Sequence, residues 1–291
     1  MQQTVVNKVL TKESTLPKNG TLKPLLKWAG GKGQLVSELV QLVPKNFGSY
    51  HEPFAGGAAL FFALYRQGLL KRKQSVLSDI NKELIDTYKC IRDDVESVIK
   101  KLRTFRYDKD QFYKIRAQTP DVLTPPERAA RMIYLNRTCF NGLYRVNSQG
   151  GFNVPFGRFT NPTICDADNL RAVSLTFKDA KLRCQPFSAV LDSVRKNDFV
   201  YFDPPYVPLS ETAKFVSYVK NGFGLSDQEE LAEVFNKLSE RGVKVMQSNS
   251  DTDWVHKRYR KFKRLSVQAR RSVNSRADRR GAIQELIILN Y

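Results

Sequence analysis

Ser49–Phe62 reads SYHEPFAGGAALFF, and the fold follows from how this stretch is divided. Its first six residues are short and aromatic and lead into a glycine cluster. Ala58–Gln67 (AALFFALYRQ) then has the composition of a buried helix. Gln74–Asp79 (QSVLSD) predicts a strand. Asn81–Leu102 predicts a helix, with Leu84, Ile85, Tyr88 and Ile91 at helical spacing. Strand, glycine turn, helix, strand is the opening of a Rossmann-like nucleotide site. Gly56 and Gly57 permit close approach of the backbone to a ligand, although any glycine turn into a helix has the same look. Asp79 lies 22 residues after Gly57, at the end of the next strand. That is roughly the spacing of an acid that binds ribose hydroxyls; the plainer alternative is a helix cap, because a helix follows at once.

Working outward, the α/β alternation is interrupted and then resumes. The first ordered block begins near Leu22, after a polar lead-in over 1–21. The segment from Thr87 to Leu182 changes character and reads as a helical insertion, leaving 22–86 and 183–291 as one split α/β domain. Within it, Thr124 and Glu127 form a capping box with Pro125 at the first helical position. A glycine- and asparagine-rich loop follows, Phe140–Phe159 (FNGLYRVNSQGGFNVPFGRF), and a loop of that length is usually functional. Beyond the insertion, Asn197–Tyr206 (NDFVYFDPPY) predicts a buried strand that stops at two prolines. Ser226 and Glu229 predict a second capping box, Val243–Asp251 a strand, and Ala282–Tyr291 the last strand.

Composition narrows the function. With Lys+Arg 48 against Asp+Glu 29, the 291-residue chain carries +19, which calls for an anionic partner. His256–Gly281 holds eleven Lys/Arg and one Asp, and so supplies +10 of that total. Its apolar residues are interleaved with the charges rather than gathered on one face. This argues against a membrane-lying helix and for a strand and loop facing a phosphate backbone, with a solvated charged surface as the bland alternative. No apolar run reaches the roughly 20 residues of a membrane span, and the first twenty residues lack the apolar segment of a secretion signal. Cys90, Cys139, Cys165 and Cys184 are scattered, with two His in the chain, so neither a structural zinc site nor a disulfide scaffold is expected. A reducing cytoplasm is the expected location, and no metal is expected.

The residues with chemistry fall in four places. Asp203-Pro204-Pro205-Tyr206 ends an apolar strand, where ligands bind in open α/β sheets. The prolines offer carbonyls and no N–H, so with the Asp203 carboxylate they form an acceptor-only cluster beside an aromatic ring. That cluster suits an exocyclic amino group, with Tyr206 stacking on the ring that bears it. The other places are Glu52–Phe62, Asp79 and Leu25–Gly33 (LLKWAGGKG). The last lacks the first glycine and the Ser/Thr of a Walker A loop, so an NTPase is excluded. Trp28 and Lys32 could instead cover an aromatic or carboxylate-bearing ligand.

Taken in this order, KWAGGK, EPFxGG, the acid, the middle segment LNRTCFNGLYRVNSQGGFNVPFGRF and DPPY resemble the Dam-type DNA adenine-N6 methyltransferases, the GATC methylase family, from about Leu25 to Tyr291. The resemblance implies a Rossmann-like S-adenosylmethionine-dependent methyltransferase fold with an inserted helical DNA-recognition domain over 87–182. It implies S-adenosylmethionine as methyl donor, contacted by Trp28, Lys32, Glu52, Phe54, Gly56, Asp79 and Asp203. Asp203, Pro204, Pro205 and Tyr206 would be catalytic. Lys27, Phe140, Asn141 and Arg145 would contact double-stranded DNA, with Phe140 as a wedge and Arg145 reading guanine. A cognate restriction endonuclease is an accompanying expectation. One departure is Ala58, where many members have a third glycine. The rivals are an amino-methyltransferase acting on RNA, cytosine N4 or a protein glutamine, and a non-catalytic DNA-binding protein on a methyltransferase frame. Asp203 before PPY favours adenine over cytosine and glutamine, the FNGLYR hairpin favours duplex DNA over RNA, and the intact Trp28, Lys32, Asp79 and DPPY disfavour the second rival.

Overall fold

A computed structural model describes residues 22–28, 30–33, 35–207, 223–270 and 282–291. The lead-in over 1–21 and the basic residues 271–281 lie outside the described residues. Among the described residues, seven strands form one sheet: β1 Tyr50–Glu52, β2 Ser75–Asp79, β3 Ala180–Cys184, β4 Phe199–Phe202, β5 Lys244–Ser250, β6 Lys263–Arg270 and β7 Ala282–Leu289. Their order is β3-β2-β1-β4-β5-β7-β6. β1 to β5 pair in parallel, while β7 runs antiparallel between β5 and β6. The last strand of the chain is therefore interior, not an edge. This is a mixed seven-stranded sheet flanked by helices, and the expected α/β fold class holds.

The helices are α1 Val36–Leu42, α2 Ala59–Arg66, α3 Lys82–Leu102, α4 Lys109–Arg116, α5 Pro125–Thr138, α6 Ala167–Lys178, α7 Leu225–Glu240 and α8 Asp253–Arg258. β4 shows how they are layered. Its four residues FVYF are all buried, as expected of a parallel strand covered on both faces. Phe199 and Tyr201 join the larger apolar core, whereas Val200 and Phe202 point to the opposite face, against Leu231 and Phe235 of α7.

The capping box at Thr124 and Glu127 forms, with the Thr124 N–H donating to Glu127 Oε2 at 3.2 Å. The second expected box does not. Helix α7 begins one residue before Ser226, so Asp227, not Glu229, occupies the third position and its Oδ2 accepts from the N–H of Gly224 at 2.6 Å. Glu229 instead pairs with Arg258 at 2.9 Å. The boundary expected after 86 falls inside α3 and that after 182 inside β3. Ala129, Ile133 and Leu135 of α5 belong to the same apolar cluster as Tyr50 and Leu77 of the sheet.

Candidate active site

β1, β2 and β4 end on one edge of the sheet, and the order reverses between β1 and β4: from β1 the chain goes to β2 on one side, and β4 lies on the other. Such a switch point is where α/β sheets bind ligands. Glu52, Asp79 and Asp203 are carried to it by the three strands in turn. Glu52 is 3% exposed, and its Oε2 accepts from the Tyr50 hydroxyl at 2.8 Å. Burial pushes its carboxyl up to about 8, so it is mostly protonated at neutral pH.

Asp79 does not cap a helix. Asn81 is the N-cap of α3, accepting from the Leu84 N–H at 3.0 Å, while the two Asp79 oxygens accept from the Gly56 N–H at 3.0 Å and the Asn81 N–H at 2.9 Å. Burial raises the Asp79 carboxyl and these backbone donors oppose the rise. The acid is thus fixed at the mouth of the glycine turn. Gly56 has φ +44, and a Cβ there would fall 2.7 Å from the Trp28 ring, so indole and backbone meet too closely for any side chain. Ala58, where a third glycine was absent, sits in the left-handed region at φ 53 and ψ 38. Phe54 stacks on Phe187 at 5.3 Å and packs edge-on against Phe202, forming an aromatic wall beyond β1.

Asp203 follows β4 directly. The buried Lys32 ammonium lies 2.7 Å from Asp203 Oδ1, donates to the Gly30 carbonyl at 2.7 Å, and sits 4.5 Å from the centre of the Tyr206 ring. Burial raises the Asp203 carboxyl, and Lys32 holds it down. Tyr206 donates its hydroxyl to Glu285 Oε2 at 2.6 Å, and that oxygen is 4.0 Å from Lys32 Nζ. The Pro205 carbonyl accepts from Gln228 Nε2 at 2.7 Å. Trp28, Lys32, Asp79 and Asp203 are therefore brought to one edge of the sheet together with Glu52, Phe54 and Gly56.

A family model described as D12 class N6 adenine-specific DNA methyltransferase matches residues 28–273. The chain belongs to that class. Among relatives of this methyltransferase, the type II methyltransferase M.MjaIII of Methanocaldococcus jannaschii is 42% identical over 93% of this chain and 99% of its own. The DNA adenine methylase of Serratia marcescens is 34% identical over 92% of this chain and 98% of its own. That of Escherichia coli K12 is 33% identical over 92% and 95%. Among solved structures, an rRNA methyltransferase from Streptomyces viridochromogenes overlays with 12% identity and a TM-score of 0.32 over 88% of this chain and 84% of that one, too distant to bear on the assignment.

The methyltransferase's expected DNA contacts also gather in one place. Phe140 and Asn141 form a short turn at the start of the long loop. Phe140 is 44% exposed, and Asn141 is exposed with φ 55. The loop folds back on itself through antiparallel bridges between Cys139 and Phe156 and between Val146 and Phe152. Arg145 is exposed, with Nε donating to Asn153 Oδ1 at 2.7 Å. Lys27 reaches the same patch, its Nζ 5.0 Å from the centre of the Phe159 ring. Among the described residues no group of His, Cys, Asp or Glu could hold a metal, and no helix is long and apolar enough to cross a membrane.

Sequence reading missed Glu285, Gln228, Asn249 and Tyr144. Asn249 accepts from the Val207 N–H at 3.3 Å and donates to Gln228 Oε1 at 3.1 Å, steadying the turn after DPPY from the side. A signal for it existed. Gln247, Ser248, Asn249 and Ser250 are consecutive polar residues in what reads as a central strand, and all four are buried. Glu285 carried no such signal, because its role depends on β7 lying between β5 and β6.

Proposed function

We propose that this DNA methyltransferase takes S-adenosylmethionine as donor and methylates N6 of the adenine of GATC in double-stranded DNA. The residues at the sheet edge fit that donor. Asp79 offers a fixed carboxylate for ribose hydroxyls, Lys32 a buried cation for a carboxylate, and the Trp28–Gly56 contact and Phe54 supply flat apolar surfaces. When bound, the donor supplies a methyl group on a cationic sulfur. The single observation that carries the reading is the end of β4: the Asp203 carboxylate, followed by Pro204 and an anchored tyrosine ring, with Lys32 and Asp79 on neighbouring elements.

The adenine amino nitrogen is a poor nucleophile because its lone pair is delocalised into the ring. The base must also leave the stack, at a cost of a few kcal/mol. Phe140, exposed on its turn, has the placement of a wedge that fills the gap. Arg145 reads guanine by a bidentate contact once it leaves Asn153, and Lys27 and Asn141 hold the flanking bases and backbone. Tyr206 stacks on the extruded base. Asp203 and the Pro204 carbonyl would accept from its N–H groups and localise the lone pair on the nitrogen for attack on the methyl group as that group's bond to sulfur breaks, and the Asp203 carboxylate would take the surplus N–H proton. Fixed acceptors and proximity supply the acceleration, with no covalent enzyme intermediate. Relatives named type II methyltransferases support a partner restriction endonuclease of matching specificity.

The test is incubation of the protein with methyl-labelled donor and plasmid DNA, followed by mapping of modified bases with methylation-sensitive nucleases. Label at GATC adenines is the expected result. Label confined to cytosine or RNA, or none on any nucleic acid, would overturn the reading.

A further inference from the structure

The loop that carries Arg145 and the edge that carries Asp79 meet at one aromatic pair. Trp28 and Tyr144 stack with ring centres 5.1 Å apart and planes 19° from parallel. On its other contacts Trp28 presses on Gly56, whose N–H is held by Asp79. Tyr144 is tied further. Its hydroxyl donates to Glu83 Oε2 at 2.8 Å, in the first turn of α3 and four residues beyond Asp79. Glu83 Oε1 accepts from Arg131 of α5 at 3.2 Å. Arg131 is only 2% exposed and also donates from Nε and Nη2 to the carbonyls of Ile115 and Arg116 at the end of α4, at 3.1 and 3.0 Å. A second tie runs alongside: Asn136 accepts from the Lys27 N–H and donates to the carbonyls of Lys27 and Gly142 at 2.8, 2.8 and 2.9 Å.

We infer that Tyr144 is a positioning residue that links occupation of the Trp28–Asp79 edge to the DNA-reading set of the Phe140–Phe159 loop. The inference rests on the donor and DNA sites proposed above. Tyr144 immediately precedes Arg145 in the chain, so the backbone that aims the guanidinium is anchored by the stack on Trp28 and by the hydroxyl bond to Glu83. The tie to Glu83 is charge-assisted and Glu83 is itself held by a buried guanidinium, which makes this a stiff connection. A ligand that orders the Trp28 ring removes freedom from Tyr144, and DNA then binds a loop already partly ordered. Linkage requires the effect to be reciprocal: DNA tightens the donor by the same factor. Trp28 alone would give the donor site a wall. Its partner makes that wall a lever on the reading loop.

The full chain, a labelled duplex with one GATC, and S-adenosylhomocysteine as a non-reacting donor analogue provide the test. The quantity read is the ratio of duplex Kd without and with saturating analogue. For the unaltered protein the ratio should be about tenfold. Tyr144→Phe keeps the stack and loses the bond to Glu83, and should lower the ratio to about threefold. Tyr144→Leu should bring it within about twofold of one, even where the lost stack lowers the melting temperature. A merely structural tyrosine would instead lower the melting temperature and leave the ratio alone. A ratio near one for the unaltered protein, or an unaltered ratio in both variants, would overturn the inference; should Tyr144→Leu fail to fold, an unaltered ratio in Tyr144→Phe suffices. Failure of the underlying reading looks different: the unaltered protein would neither hold the duplex nor methylate it.

Discussion

The edge of the sheet and the long loop after α5 are built on opposite terms. At the edge, Asp203, Lys32, Tyr206 and Glu285 satisfy one another within a largely buried network, and Asp79 is held by two backbone N–H groups. In the loop, Phe140, Asn141 and Arg145 are exposed, and among the described residues the Arg145 guanidinium is held by Asn153, through its side chain and carbonyl. Under the proposed function, methyl transfer needs acceptors that do not reorganise as charge shifts, which burial at the edge would supply. Recognition of a duplex needs side chains that can change partner when DNA arrives, which exposure in the loop would supply. Substitutions at the edge should therefore act on turnover or stability, and those in the loop on which DNA is chosen.

The largest expected effect is at Asp203. Asp203→Ala should lower kcat by at least about a thousandfold while duplex affinity in a gel-shift assay stays within a few-fold. Retention of near-normal turnover would remove the distinction between the two regions. Next is Glu52, whose carboxyl is pushed up by burial to about 8 when folded from its ordinary value of 4.5. Its stabilising contribution is fully present below about pH 4.5 and is lost as pH rises to about 8, because the unfolded chain ionises first. Relative to Glu52→Gln, the unaltered protein should lose roughly 3 kcal/mol across that window, read from urea midpoints at pH 4.5, 6 and 8.5. A constant difference would contradict the burial argument.

Arg145→Ala addresses the loop. It should relax discrimination at the guanine by about 1–3 kcal/mol, read as the ratio of kcat/KM on GATC and on a duplex changed at that base, with the melting temperature unmoved. Glu285→Gln exchanges a charged acceptor for a neutral one at the Tyr206 hydroxyl. A loss of about fivefold in kcat/KM is expected, with the chosen site unchanged. The smallest effect is Ala58→Gly. With φ at 53, alanine is strained where glycine is not, and the variant should gain about 0.5–1 kcal/mol in a denaturant melt without altering activity.

How far the sequence discloses all this depends on range. β1, β2 and β4, the glycine turn and the Thr124–Glu127 cap are legible because each is settled by residues within a few positions of one another. DPPY was legible for the same reason, since its prolines and carboxylate act from one turn. The partner of Tyr206 was not, because Glu285 is 79 residues away and reaches the edge only through antiparallel insertion of β7. The Trp28–Tyr144 stack was hidden likewise by long sequence separation. The second capping box failed over a single residue, Gly224, whose extended backbone starts the helix early. The expected seams at 86/87 and 182/183 fall within α3 and β3, where hydrophobic periodicity looks the same on either side.

The most direct check is a crystal structure of the protein with S-adenosylhomocysteine. The account predicts the ribose on Asp79, the amino-acid end by Lys32, and the sulfur beside Asp203 at the end of β4. Analogue bound anywhere remote from Trp28, Lys32, Asp79 and Asp203 would contradict it.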